Sequence, residues 1–193
     1  MPVVRPCLLA IILLVSSSAV KSQTNKASEQ TTANLMRELR LKWLTTPTSQ
    51  LGRTSTPEYP HVDAMIMDWP IEEATVSLMA SSVGDASIYT TGSFGVIGGI
   101  EHESVRHLAQ NFVKLGEKYY SEATSTTDYS YPQSGRVRFY FICYDEVRMI
   151  EVNAASLEDR RSKYSDLFVQ AHRVISELRR IVEHQKTGSD HAR

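Results

Sequence analysis

A glycine-rich turn, residues 92–99, is the stretch whose residue types best suit ligand binding. It reads GSFGVIGG and stands between a predicted strand and a predicted helix. Its candidate binding residues are Gly92, Ser93, Gly95, Gly98 and Gly99. Glycines ahead of a helix N-terminus present free backbone N–H groups that suit a phosphate. However, the turn matches no phosphate-binding motif, and Glu101 and Glu103 add negative charge beside it. The glycine-rich turn is therefore either a site for an anion or small ligand or only a tight connection whose residues need positive φ.

Two histidines in the helix that follows do not have the spacing of a zinc site. His102, Glu103 and His107 look like H-E-x-x-H, but the histidines are five residues apart. Five residues turn a helix by about 140°, so the two rings cannot easily bind one ion. We expect no metal ion and no other cofactor.

Cys143 could act as a nucleophile only if it were exposed and paired with a base. It lies on the same predicted strand face as Phe139 and Phe141, where a cysteine is usually a small buried hydrophobe. A cysteine-dependent hydrolase with His102 or His107 as the base is therefore kept as a second alternative.

Basic and aromatic residues share the other face of that strand, among them Arg138, Tyr140 and Tyr144. Such a face can stack on single-stranded nucleic acid. The chain has 21 Lys and Arg against 22 Asp and Glu, a net charge of −1, which gives no general attraction for nucleic acid. Tyr and Arg are also enriched in protein interfaces. We therefore predict a protein contact at these three residues and no nucleic-acid partner.

Apolar periodicity predicts the elements that position these residues. The elements are a hairpin of residues 75–80 and 86–91, a helix over residues 101–119, a hairpin of residues 137–143 and 147–152, and a helix over residues 164–181. The fold class is therefore α/β (α+β) in the order ββαββα. We expect an antiparallel sheet of four to five strands from two hairpins, with two packed amphipathic helices. Apolar residues make up 41% of the chain and charged residues 22%, which allows a core of ordinary size.

Two segments precede this domain. Residues 1–22 combine Arg5, an apolar run of residues 7–15 and small residues after it, the pattern of a secretory signal peptide. That run is too short to span a bilayer. Residues 23–66 hold a helix followed by a Pro/Ser/Thr-rich linker, which we expect to be largely flexible. The helix has an apolar side of Leu35, Met36, Leu39 and Trp43.

The domain boundaries and the predicted signal peptide lead to two alternative cellular locations. The α/β domain covers residues 67–185, and residues 186–193 form a tail that we expect to be disordered. With a signal peptide the protein is exported, either periplasmic or secreted. The alternative is a cytoplasmic chain that starts at Met65 or Met67.

The element order resembles that of the profilin-like roadblock/longin group over roughly residues 70–185. The resemblance concerns element order and brings no catalytic motif, so it implies a dimerising or partner-binding module. We accordingly expect a non-enzymatic interaction or regulatory module that self-associates or binds a protein. The alternatives are a ligand-binding domain at the glycine-rich turn and a cysteine-dependent hydrolase.

Overall fold

The computed structural model describes the backbone of residues 17–190 and the side chains of residues 28–185. Within them the chain forms four α-helices and seven β-strands. In chain order these are α1 (Ser17–Thr45), β1 (Val62–Ile71), β2 (Ala74–Ser81), β3 (Ala86–Thr90), β4 (Gly95–Val96), α2 (Glu103–Glu117), β5 (Thr124–Ser125), β6 (Arg136–Cys143), β7 (Val147–Asn153), α3 (Ala154–Glu158) and α4 (Ser165–Asp190). Residues 1–16 of the predicted signal peptide and residues 191–193 of the predicted tail lie outside the described part. Residues 17–22 and 186–190 are helical.

The seven strands form one antiparallel sheet in the order β4-β3-β2-β1-β6-β7-β5. The predicted α+β class with an antiparallel sheet is confirmed, but the predicted four to five strands and the order ββαββα are wrong. The two predicted hairpins are present as β2–β3 and β6–β7. They do not pair with each other, because β1 lies between them and pairs with both β2 and β6.

The central strand β1 is the element that the sequence pattern does not reveal. It reads VDAMIMDWPI, with two aspartates and a proline, residue types that are depleted in strands. Residues 62–68 are all buried, so the alternation typical of a half-buried strand is missing. Pro70 lies beyond Asp68 and Arg138, the last pair of the β1–β6 register, where its missing N–H removes no bond to β6. The predicted domain start at Met67 therefore falls inside the central strand.

The other two additional strands are short and lie at the two edges of the sheet. β4 pairs only Val96 with Ile88 and Gly95 with Tyr89, and β5 has two residues paired with β7. Two residues carry no periodic pattern, so these strands cannot be predicted from alternation. Very short edge strands also limit pairing with other chains.

The helices α2 and α4 cover one face of the sheet and bury the two predicted apolar stripes. Phe112 of α2 and Val174 of α4 are fully buried against a sheet face that includes Met65 and Phe139. Gly116 lets α2 approach the central strand, because a Cβ there would lie 2.2 Å from Sδ of Met65. This layer holds the larger of the two apolar clusters. Each fully buried side chain of this size stabilises the fold by roughly 1.5–3 kcal/mol.

The helix α1 covers the opposite face, which gives three layers, α/β/α. Its buried stripe runs through Met36, Arg40 and Leu44, one helical turn apart, whereas Leu35 is 47% exposed. Met36 and Leu44 join a second apolar cluster with Ile66 of β1. The helix predicted in the segment ahead of the domain is thus packed on the sheet.

A buried ion pair joins α1 to the central strand. Nε of Arg40 lies 3.0 Å from both carboxylate oxygens of Asp68, and Nη2 also donates to Oδ2. Nη1 donates to the Tyr129 carbonyl oxygen at 2.9 Å, and the Ser77 hydroxyl donates to Asp68 Oδ1 at 2.5 Å. The ring of Tyr131 lies 4.3 Å from the guanidinium carbon. The pair therefore connects α1, β1, β2 and the segment of residues 126–134.

The side chains of this pair are 1% and 0% exposed, and burial opposes both charges. Burial raises the pKa of Asp68 above its usual value, although hydrogen bonds from Arg40 and Ser77 act to lower it. Burial acts to lower the pKa of Arg40, but the contacts with Asp68 outweigh it and that pKa is raised. Such a pair adds little net stability, yet removing one partner is costly. The pair therefore fixes the position of α1 on the sheet and contributes little to the free energy of unfolding.

We expect Arg40→Leu to lower the free energy of unfolding by about 3–5 kcal/mol, because Asp68 would stay buried without its cation. Combining it with Asp68→Leu should recover a large part of that loss. The matched control is Arg161→Leu, which breaks an exposed Arg–Asp pair and should cost less than about 1 kcal/mol. Urea unfolding followed by circular dichroism measures all three. Equal costs for the two single variants would contradict this role of the pair.

A chain that begins at Met65 or Met67 should not adopt this fold. It would lack α1 with Arg40, and it would start inside the central strand. We expect its amide NMR spectrum to be poorly dispersed. A chain that begins at Ser28 should keep the native spectrum, since the first buried side chain among those described is Ala33. A native-like spectrum from the chain starting at Met65 would support the cytoplasmic alternative instead.

Candidate functional site

An open groove, here named the α4 groove, lies between α4 and the end of the sheet where β1 stops. Its volume is about 610 Å³, within the range typical of ligand sites. Its apolar lining includes Trp69, Ile71, Val76, Phe94, Ile175 and Val182. Thr90, His172, Ser176 and Arg179 contribute polar groups. A mainly apolar lining with a few polar side chains is typical of a binding site.

The α4 groove forms because β1 continues past its last pair with β6, while the glycine-rich turn and α4 stand beside this extension. Trp69 and Ile71 continue β1 past Asp68, the last residue of β1 that pairs with β6. Phe94 comes from the glycine-rich turn between β3 and β4. Ile175 and Val182 lie on α4, which forms the other wall. The groove thus combines strand ends, a turn and a helix that are far apart in the sequence.

Aromatic packing fixes the wall around Trp69. Its ring lies edge-on to Phe168, with 5.3 Å between centroids, and to His172, at 4.6 Å. Nδ1 of His172 lies 2.8 Å from the carbonyl oxygen of Phe168. Since a carbonyl only accepts, this hydrogen bond places a proton on Nδ1. The wall is therefore formed before any ligand binds.

Two large apolar side chains at the groove are well exposed. Phe94 is 45% exposed and Ile71 is 36% exposed. Exposed apolar residues that cluster beside an apolar groove are typical of an interaction surface, whereas single scattered ones are common on any protein. The exposed pair Phe94 and Ile71 therefore supports an interaction surface at the α4 groove.

A second cavity of about 550 Å³ lies along α4 and shares His172 and Ser176 with the α4 groove. Glu177, another lining residue, accepts hydrogen bonds from Arg180 at 2.6 and 2.9 Å and from Ser104 at 2.5 Å. These bonds, that from Arg180 first, lower the pKa of Glu177 to about 2. Both cavities have an acidic residue in their lining, since Glu183 lines the α4 groove.

The glycine-rich turn uses two of its glycines for close packing. A Cβ on Gly95 would lie 2.3 Å from Sδ of Met36 on α1, and one on Gly99 would lie 2.7 Å from Val105. Gly98 has φ of +88°, a conformation that favours glycine. Ser93 is exposed and Gly92 is partly exposed, and both precede Phe94 at the groove. Anion binding at this turn stays a prediction.

The predicted interface residues make contacts within the chain. Arg138 donates to Glu151 at 2.6 Å, and its Nη1 lies 3.4 Å from the Tyr140 hydroxyl. Tyr140 is fully buried under α1 and residues 126–134. Tyr144 lies apart from them in the β6–β7 turn, where its hydroxyl donates to the Tyr59 carbonyl oxygen at 3.0 Å. Binding of another protein at Arg138 and Tyr140 stays a prediction, and it would require these covering elements to move.

The other chemical candidates lie away from the α4 groove. Cys143 is 4% exposed on the core face of β6, and burial raises the pKa of its thiol to about 12. Nε2 of His107 lies 3.5 Å from Oε1 of Glu103 on the exposed side of α2. Among the described residues, no three His, Cys, Asp or Glu side chains are grouped to hold a metal ion. No helix in the described part is long and apolar enough to cross a membrane.

Sequence patterns do not identify Trp69, Ile71 and Phe94 as binding residues. Trp69 and Ile71 belong to the unpredicted strand β1, and Phe94 lies within the glycine-rich turn, whose pattern points to its glycines. The one usable signal was the presence of large apolar residues where a polar turn or strand end is expected. Only the packing of α4 beside them makes these residues one surface.

Comparisons with protein-family models, with curated proteins and with solved structures found no match.

We expect Cys143 to react slowly with a thiol reagent in the native protein. With a pKa of about 12, only about one thiol in ten thousand is ionised at pH 8, and the thiolate is the reactive form. In a Cys7→Ser variant, where Cys143 is the one thiol left, Ellman's reagent should label the unfolded protein within minutes and the native protein far more slowly. Native labelling as fast as in urea would support the hydrolase alternative.

Proposed function

We propose that this protein is a non-enzymatic protein-interaction module that self-associates through the α4 groove. The supporting observation is the open apolar groove with Phe94 and Ile71 exposed beside it. Buried aromatic and aliphatic anchors in the centre of an interface contribute most of the binding free energy. The α4 groove offers both an anchor and a concave surface to receive one.

A second copy of the chain is the partner that this surface fits best. In a two-fold contact the same patch is used on both copies, so it must hold both the protruding and the receiving groups. Phe94 and Ile71 protrude, while Val76, Ile175 and Val182 line the concave wall. The net charge of −1 gives little repulsion between copies. The patch therefore holds both kinds of group that a two-fold contact needs.

The hydroxyl of Thr90 in the α4 groove has a structural role. It donates to the Phe94 carbonyl oxygen at 2.5 Å and so holds the glycine-rich turn that presents Phe94. An activated nucleophile would instead donate its proton to a base. This geometry makes Thr90 a structural group and not a nucleophile.

We expect the protein to form dimers in a concentration-dependent manner, and Ile71→Ser to weaken the dimer by about tenfold or more, because it removes an apolar anchor. Phe94→Ser should weaken it at least as much. Sedimentation velocity over a wide concentration range measures the dissociation constants.

Val83→Ser is the matched control, since Val83 is 46% exposed in the β2–β3 turn at the other end of the sheet. It should leave the dissociation constant unchanged. A monomer at all concentrations would contradict self-association. A dissociation constant that neither Ile71→Ser nor Phe94→Ser changes would show that the interface lies outside the α4 groove.

A further inference from the structure

The cavity along α4 that contains Glu177 combines two arginines with an apolar lining. We call it the α3–α4 cavity. Its volume is about 550 Å³, within the range typical of ligand sites. Arg160, from the turn after α3, and Arg173, from α4, line it together. The apolar part of the lining consists of Leu108, Leu157, Phe168 and Val169.

Arg160 has a backbone conformation that favours glycine. Helix α3 ends in a Schellman motif, in which the Arg160 amide donates to the Leu157 carbonyl oxygen at 3.1 Å. The Arg161 amide donates to the Ser156 carbonyl oxygen at 3.0 Å and completes the motif. The residue in the position of Arg160 is usually glycine, because it must adopt positive φ. Arg160 has φ of +55°, a strain that glycine would avoid and that is often found at functional sites.

Both guanidinium groups are accessible to a ligand. Arg160 and Arg173 are exposed to solvent. The Arg160 side chain forms no hydrogen bond or ion pair with any described residue. Arg173 donates only to the side-chain oxygen of Gln170, at 3.4 Å. The neighbouring carboxylate of Asp159 is paired with Arg161 at 2.6 Å, so it does not occupy either guanidinium.

The charged groups around the cavity leave one positive charge in excess. Arg160 and Arg173 are opposed by Glu158, an exposed lining residue. Glu177, the other lining carboxylate, accepts from Arg180 at 2.6 and 2.9 Å, so its charge is balanced. One excess positive charge beside an apolar lining suits a monoanion with an apolar body.

We propose that the α3–α4 cavity binds a small organic carboxylate, whose apolar body packs against Leu157 and whose oxygens accept hydrogen bonds from Arg160 and Arg173. The planar guanidinium can donate two parallel hydrogen bonds to a carboxylate. A phosphate monoester carries a charge of about −1.5 to −2 at pH 7, which exceeds the one positive charge available. Phe94 and Ile71 do not line this cavity, so the proposal does not depend on self-association.

The test uses the full chain and calorimetric titration with phenylacetate, with phenylacetamide as a neutral ligand of the same shape. We expect saturable binding of phenylacetate and at least about tenfold weaker binding of phenylacetamide, the loss expected for a charge-assisted hydrogen bond. In methyl NMR spectra the signals of Leu108 and Leu157 should shift on binding, whereas those of Ile71 and Val182 in the α4 groove should not.

Arg160→Gly removes both the guanidinium and the strain, so two measurements should move in opposite directions. Phenylacetate should bind at least about tenfold more weakly, while the urea midpoint of unfolding should rise. Arg173→Gln should weaken binding to a similar extent. The matched control is Arg161→Gln, which removes an equal charge from an exposed side chain outside the cavity lining and should leave the dissociation constant unchanged.

The proposal is overturned if phenylacetate shows no saturable binding, or if phenylacetamide binds equally well. It is also overturned if Arg160→Gly and Arg173→Gln both bind phenylacetate as tightly as the wild type. Methyl shifts confined to Ile71 and Val182 would assign the acid to the α4 groove instead. A lower urea midpoint for Arg160→Gly would contradict the strain on which the proposal rests.

Discussion

The buried charge of Asp68 in the central strand constrains the rest of the molecule. A carboxylate that is 0% exposed requires a cation and hydrogen bonds. Arg40 of α1 supplies the cation, so α1 must cross the sheet at the level of β1. Residues 126–134 then close the site, since Tyr129 accepts from Arg40 and Ser130 accepts from Tyr140. One ion pair thereby determines what covers an entire face of the sheet.

The two faces of the sheet differ because of that constraint. On the α1 face the directional hydrogen bonds between Arg40 and Asp68 hold the cover in place. On the other face α2 and α4 pack mainly through apolar contacts, which are non-directional and tolerate an incomplete cover. The end of β1 stays partly uncovered there, and the α4 groove with Trp69 and Phe94 is the result. The α4 groove thus lies where the cover of α2 and α4 ends.

Sequence periodicity predicted two hairpins and two amphipathic helices. The hairpins β2–β3 and β6–β7 and the stripes of α2 and α4 follow from alternation and from three- and four-residue spacing. It failed for β1, which is buried on both faces and carries Asp68, and for the two-residue strands at the edges. It also gave no sign of the α4 groove, because Ile71, Phe94 and Val182 come from three separate elements.

Residue patterns along the chain are enough to predict the α+β class, the antiparallel hairpins and the near-neutral charge, because these depend on composition or on residues close together in the chain. The central position of β1, the covering of Tyr140 by α1 and the α4 groove follow from the tertiary structure. A buried charge is tolerated only with its partner in space. Arg40 and Asp68 are 28 residues apart in sequence, a separation at which no local pattern connects them.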